Sequence, residues 1–138
     1  METLKQLAVF VANRPGTLAQ VCQRLAENGV NILGLSVADA VDHAVLRFVV
    51  DKPAVALHVL GDAGLLVVDS DIIALQLPNR PGQLSELGRI FAEAGINIEY
   101  AYGGMGAPDR IGTLFVKVAD IEKAREAVAK SGLETPGK

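Results

Sequence analysis

The sequence predicts an α+β protein made of two copies of one βαββαβ unit, each an antiparallel sheet with both helices on one face. Two observations carry that expectation. NRPGTLAQVCQRLAENGVNI (13–32) falls on NRPGQLSELGRIFAEAGINI (79–98) at a shift of 66 residues, with ten of twenty positions identical. Each copy also alternates short β-branched or apolar runs with stretches whose apolar residues recur at helical spacing. The later halves align more loosely, Gly64-Leu65 matching Gly132-Leu133 at a shift of 68, which implies two residues gained in a loop. Residues 1–69 are read as the first unit and 70–138 as the second. No Pro/Gly/Ser linker separates them, since VVDSDIIALQL runs straight through.

Taken in order, Leu7–Ala12 and Ile72–Leu77 read as first strands, closed by Asn and Pro. A helix follows each. Leu18, Val21, Cys22 and Leu25 fall at i, i+3, i+4 and i+7, as do Leu84, Leu87, Gly88 and Phe91, giving one apolar stripe per helix. Gly29 and Gly95 stand where a helix stop needs positive φ. Second strands are expected at Ile32–Ala40 and Ile98–Gly103, then a turn at Asp42-His43 or a loop over GGMGAPD. Third strands follow at Val45–Val50 and Ile111–Val118. Second helices are expected at Pro53–Asp62, opened by a proline that suits the first turn, and at Ile121–Ser131, between Asp120 as N-cap and Gly132 as stop. Leu65–Asp69 supplies a fourth strand. Its counterpart has only Leu133–Thr135, so it is short or absent. This order is the split βαβ, ferredoxin-like arrangement.

Composition excludes several functions. Half the residues are hydrophobic and 21% are charged, which is the balance of a folded domain. A net charge of −3 and a pI near 5.3 lack the basic footprint of a nucleic-acid surface. The longest apolar runs are too short to cross a bilayer, and METLKQLAVF has no secretory pattern. The single cysteine, Cys22, rules out an internal disulfide and a thiolate metal cluster. A cytoplasmic protein with no membrane or nucleic-acid partner is expected.

A strand, then N-R-P-G-x-L, an amphipathic helix and G-[VI]-N-I together resemble the ACT domain. The resemblance runs over the whole chain, twice, and is similar to free-standing tandem ACT proteins. It implies a non-catalytic regulatory protein that binds a free amino acid at unit interfaces, needs no cofactor, and signals to a metabolic enzyme. A homodimer and a biosynthetic enzyme partner are implied with it. The alternative is an interaction module, a detached regulatory subunit like that of acetolactate synthase, which docks without a ligand of its own.

The loop has a physical case as well. Pro and Gly turn the chain into a helix whose first N–H groups lack intrahelical partners, so a carboxylate there gains hydrogen bonds and a favourable dipole. Asn13 and Asn31 are read at the same end of the sheet, where their amides could converge on a zwitterion. In the first unit the candidate binding residues are Asn13, Arg14, Pro15, Gly16, Thr17 and Leu18, with Asn31 and Ile32. In the second they are Asn79, Arg80, Pro81, Gly82, Gln83 and Leu84, with Asn97, Ile98 and Tyr100. The two asparagines of each set carry the roles that the resemblance implies. Asn-x-Pro-Gly is also a good turn and Gly-x-Asn a good helix stop, so a structural role stands beside the binding one. Arg14 and Arg80 could reach a carboxylate or remain solvated.

Other signals are weaker. GGMG (103–106) lacks the spacing and lysine of a P-loop and reads as a flexible hairpin tip. Tyr100 and Tyr102 fall on one face of a strand, with packing as the default. His43 and His58 have no metal-ligand spacing, and no nucleophile–base set or close carboxylate pair emerges. No catalytic residue and no metal site is expected.

Overall fold

Two long strands, β1 (Glu2–Ala12) and β4 (Leu66–Pro78), each serve both halves of the protein. The chain, a computed structural model in which residues 1–136 are described, divides into Lys5–Asp71 and a second unit of Ile72–Lys138 joined by Met1–Leu4. Against the spans 1–69 and 70–138, Met1–Leu4 fall with the second unit, and Ser70 and Asp71 with the first. Gly137 and Lys138, which close the second span, lie outside the described residues.

In the first unit, β1 is followed by α1 (Thr17–Glu27), β2 (Ile32–Ala40), β3 (His43–Val50) and α2 (Pro53–Asp62), and β4 closes it. Its strand order is β2-β3-β1-β4. β3 runs antiparallel to both neighbours, pairing Leu7 with Phe48 on one side and Val37 with Leu46 on the other. Strand alternation sends Leu7, Val9 and Val11 to one face, where Leu46, Phe48 and Val50 join them. Val21 and Leu25 of α1, and Ala56 and Leu60 of α2, cover that face. Each valine, leucine or phenylalanine among them contributes about 1.5–3 kcal/mol by leaving water.

The G-[VI]-N-I repeat is explained locally by the helix ends. Gly29 (φ 70°) donates to the Ala26 carbonyl and Val30 to that of Leu25, the paired bonds of a Schellman stop. Gly95 and Ile96 repeat these bonds to Ala92 and Phe91. In each case the apolar residue after the glycine folds back against the core.

The second unit has strand order β1-β4-β6-β5, with β1 represented by Met1–Leu4. Its remaining elements are α3 (Gln83–Glu93), β5 (Tyr100–Gly104), β6 (Ile111–Lys117) and α4 (Ile121–Ser131). Ile73, Leu75 and Leu77 pack with Leu87, Ile90 and Phe91 of α3 and with Ala124 and Val128 of α4. Asp120 caps α4 by accepting from the Lys123 amide at 3.0 Å, and Gly132 ends it at φ 77°.

Two expectations change. Leu65–Asp69 and Ile72–Leu77 are one strand of 13 residues, because Asp69 and Asp71 fall on exposed positions that a strand can carry. The last strand of the second copy, expected to be short or absent, does not form over 133–136; Leu133 packs on the core and Glu134 pairs with Arg80. The strand flanking β4 is instead Met1–Leu4, where Met1 packs on the second core and Thr3 Oγ1 accepts from Arg125 Nη2 at 2.5 Å. Gly103 and Gly104, finally, are paired in β5 and are not a hairpin tip.

Cys22 is half-buried against the first core, and that burial pushes its thiol above the usual range. Raising the pKa removes thiolate at neutral pH, and thiolate is the reactive form. Alkylation by iodoacetamide is expected to be severalfold slower in the native protein than in guanidinium at the same pH. Equal rates would show a thiol that is neither buried nor held protonated.

Candidate functional site

Each copy of R-P-G-x folds as a type II turn. Thr17 N–H donates to the Arg14 carbonyl at 3.4 Å and Gln83 N–H to that of Arg80 at 3.3 Å. Proline fixes the second residue, and the third must be glycine, since Gly16 (φ 89°, ψ −14°) and Gly82 (φ 90°, ψ −10°) take the left-handed values this turn requires. These glycines then serve as N-caps of α1 and α3 without a side-chain cap bond. Past Thr17 and Gln83, whose amides close the turns, the next amides of each first helical turn have no intrahelical partner.

The asparagine of each turn locks it to the neighbouring hairpin. Asn13 N–H donates to the Asp42 carbonyl at 3.0 Å and its Nδ2 to that of Val41 at 3.3 Å. In the second unit Asn79 N–H donates to the Arg110 carbonyl at 2.7 Å and its Nδ2 to that of Gly106 at 2.8 Å. The structural and the binding roles of this residue are therefore compatible. One amide proton is used for the clamp, and the side-chain oxygen is left over.

The downstream asparagines are elsewhere. Asn13 follows Ala12, which pairs with His43, whereas Asn31 precedes Ile32, which pairs with Val50. Seven residues of β3 separate those levels, roughly 23 Å of strand. Asn79 and Asn97 are likewise at opposite ends, near Ile111 and Lys117. The expected convergence of the two amides within one unit is thus corrected. α1 has 11 residues and returns the chain about 16 Å, so β2 starts at the end where β1 started. At that far end Asn31 is tied to Asp51 through its backbone: its N–H donates to Oδ1 at 2.8 Å and its carbonyl accepts from the Asp51 amide at 3.1 Å. Ile32 and Ile98 pack on their respective cores. Tyr100 lies opposite Lys117 at the Asn97 end, and Tyr102 packs on Phe115 with ring centroids 5.4 Å apart.

Leu18 and Leu84, placed on the apolar stripes, are 37% and 51% exposed, so they line the turn more than the core. Val11 and Leu77, two residues before each turn asparagine, are buried. Gln83 Oε1 is buried without a hydrogen-bond partner, a local vacancy for a donor.

In the first unit the turn opens onto a cavity of about 420 Å³, within the range of small-molecule sites. Phe10, Val11 and Ala12 of β1 line it, with Asp42 and His43 from the hairpin and Ala63 and Leu65 after α2. Arg14 and Thr17 come from the turn, and Gln20, Val21 and Arg24 from α1. Of these, Gln20, Arg24, Asp42 and His43 were not among the residues expected to bind. A signal existed for two of them: Thr17, Gln20, Val21 and Arg24 recur at i, i+3, i+4 and i+7, one helical face.

The two turns differ in charge. Arg80 Nη1 is 3.4 Å from Glu134 Oε2, while no partner among the described residues takes the Arg14 guanidinium. α3 carries Glu86 in its first turn and α1 has no acid there. Arg89 holds the Glu86 carboxyl below its usual range by a bidentate contact and also reaches Glu93.

Comparisons with known proteins agree with this architecture. No curated protein matches the chain. Among solved structures, protein BT0572 from Bacteroides thetaiotaomicron is 27% identical with a TM-score of 0.88, over 96% of this chain and 90% of that one. The ligand-free regulatory subunit of aspartate kinase from Thermus thermophilus is 18% identical with a TM-score of 0.69, over 96% and 98%. The corresponding subunit from Thermus flavus is 20% identical with a TM-score of 0.66, over 94% of each chain. A family model described as an ACT domain pair matches residues 2–135. With two βαββαβ units in tandem and that match over nearly its whole length, this chain belongs to the ACT domain pair family.

Proposed function

We propose that this protein is a non-catalytic regulator that binds a free amino acid at its strand-to-helix turns and passes that state to a metabolic enzyme. The observation that carries the reading is the repeated type II turn, clamped by Asn13 or Asn79, which leaves uncapped helix amides open. In the first unit a cavity of amino-acid size adjoins it. The regulatory subunits of aspartate kinase that share the fold support a regulatory role and an enzyme partner. Asn13 and Asn31 stand too far apart to hold one amino acid. A site that uses both kinds of asparagine would therefore draw on more than one unit, and a second copy of the chain is the source we propose. Ligand would then stabilise one arrangement of the dimer, and a partner would read it.

A thermal-shift screen of the twenty amino acids tests this directly. A ligand at 100 times its Kd adds about 2.7 kcal/mol, which at this chain length raises Tm by roughly 5–10 °C. If no amino acid shifts Tm at millimolar concentration, amino-acid sensing is wrong. The second reading, docking without a ligand, would then stand, supported by the exposed Leu33, Leu35 and Val37 on the edge strand β2.

A further inference from the structure

We infer that the first unit is the one that holds the effector, and that the effector is an acidic amino acid, carrying two carboxylates and one ammonium. This rests on the amino-acid-sensing reading above and sharpens it. The cavity beside the first turn is lined by two guanidiniums, Arg14 and Arg24, and by one carboxylate, Asp42. Among the described residues neither guanidinium has an ion-pair or hydrogen-bond partner. Arg80, Arg89 and Arg125 are by contrast each paired with a glutamate. Two cations and one anion, set beside the polar Thr17, Gln20 and His43 and the apolar Phe10, Val21 and Leu65, are the inverse of a dicarboxylic amino acid. A guanidinium presents a planar fork that matches a carboxylate bidentately, so each arginine can take one acid group and Asp42 the ammonium.

The duplication supplies an internal comparison. At the shift of 66, Arg14 corresponds to Arg80 and Arg24 to Ile90. Arg80 is already engaged by Glu134, and Ile90 is buried in the second core. The second unit has therefore lost one of the two cations and neutralised the other, while keeping the turn that both units share.

Isothermal titration of the full chain with L-aspartate, L-glutamate and a panel of neutral amino acids tests the inference, using Arg24→Ile, Arg24→Gln and Arg80→Gln variants. Arg24 is exposed, so both of its variants are expected to melt with the unliganded parent. The expected result is one acidic amino acid bound per chain. Its affinity should fall tenfold or more in either Arg24 variant, the size of a lost charge-assisted contact, and stay unchanged in Arg80→Gln. Binding that Arg24 variants do not weaken, two equivalent sites per chain, or a neutral amino acid bound as tightly would each overturn the inference while leaving amino-acid sensing intact. Absence of binding by every amino acid would overturn both.

Discussion

Gly112→Ala is expected to cost the second unit roughly 3 kcal/mol or more of stability, an overpacking loss at the upper end. Gly112 is buried in β6, and a Cβ there would overlap the Met105 backbone and come within 2.6 Å of the Gly104 carbonyl oxygen. These are main-chain atoms, so relief requires moving the β5–β6 connection, not a side chain. That connection also presents the Gly106 carbonyl to Asn79 Nδ2, so the damage should reach the strand-to-helix turn. Gly104→Ala is the control, because a Cβ there meets nothing within 4 Å and its change should stay under about 1 kcal/mol. Urea unfolding followed by tyrosine fluorescence suits the test, since the protein has no tryptophan and both tyrosines are in the second unit. Coincident transitions for Gly112→Ala and the parent would show that the hairpin yields easily.

Removing Met1–Leu4 is expected to destabilise the same unit by about 3 kcal/mol, combining lost apolar burial with lost strand hydrogen bonds. Met1 packs on the core formed by Ile73, Leu75 and Phe91, and Thr3 is bonded to Arg125. The tyrosine signal should therefore move to lower urea although the deletion lies about a hundred residues from either ring in sequence. Replacing only Thr3 by alanine should account for a minor share, near the 1 kcal/mol of an exposed hydrogen bond. A deletion variant whose tyrosine transition is unmoved would mean that β4 needs no flanking strand there.

What was legible in the sequence was whatever local chemistry decides. α2 and α4 have the expected bounds because Pro53 and Asp120 mark their starts, and β2 has its own because Gly29 and the hairpin turn enclose it. Gly29 and Gly95 announced positive φ, and each has it. Long-range partition was not legible. Nothing near Met1 signals a partner 70 residues away, and the Asp-Ser-Asp of residues 69–71 looks like a break although the strand carries both aspartates on its exposed side, Asp71 paired with Lys5. The strand-to-helix turn was legible from its repetition, but the placement of Asn31 depends on chain direction and not on sequence order. An 11-residue helix between two parallel strands reverses the chain, and that count was available from the start. Arg24 and Asp42 were passed over because each looks like ordinary surface until the cavity joins them.

The loan of Met1–Leu4 to the second unit sets limits on how the molecule can be cut. A fragment begun at Ser70 would contain one complete copy of the repeat and still present the flank of β4 bare, an open row of main-chain groups that invites aggregation. A fragment ended at Asp69 would carry a dangling tetrapeptide with no core to rest on. A workable second-unit clone is a permuted one, with Met1–Leu4 grafted by a short linker after Thr135, where the repeat's own last strand would have stood. The duplication boundary read along the chain and the boundary a cloner should respect are thus different places.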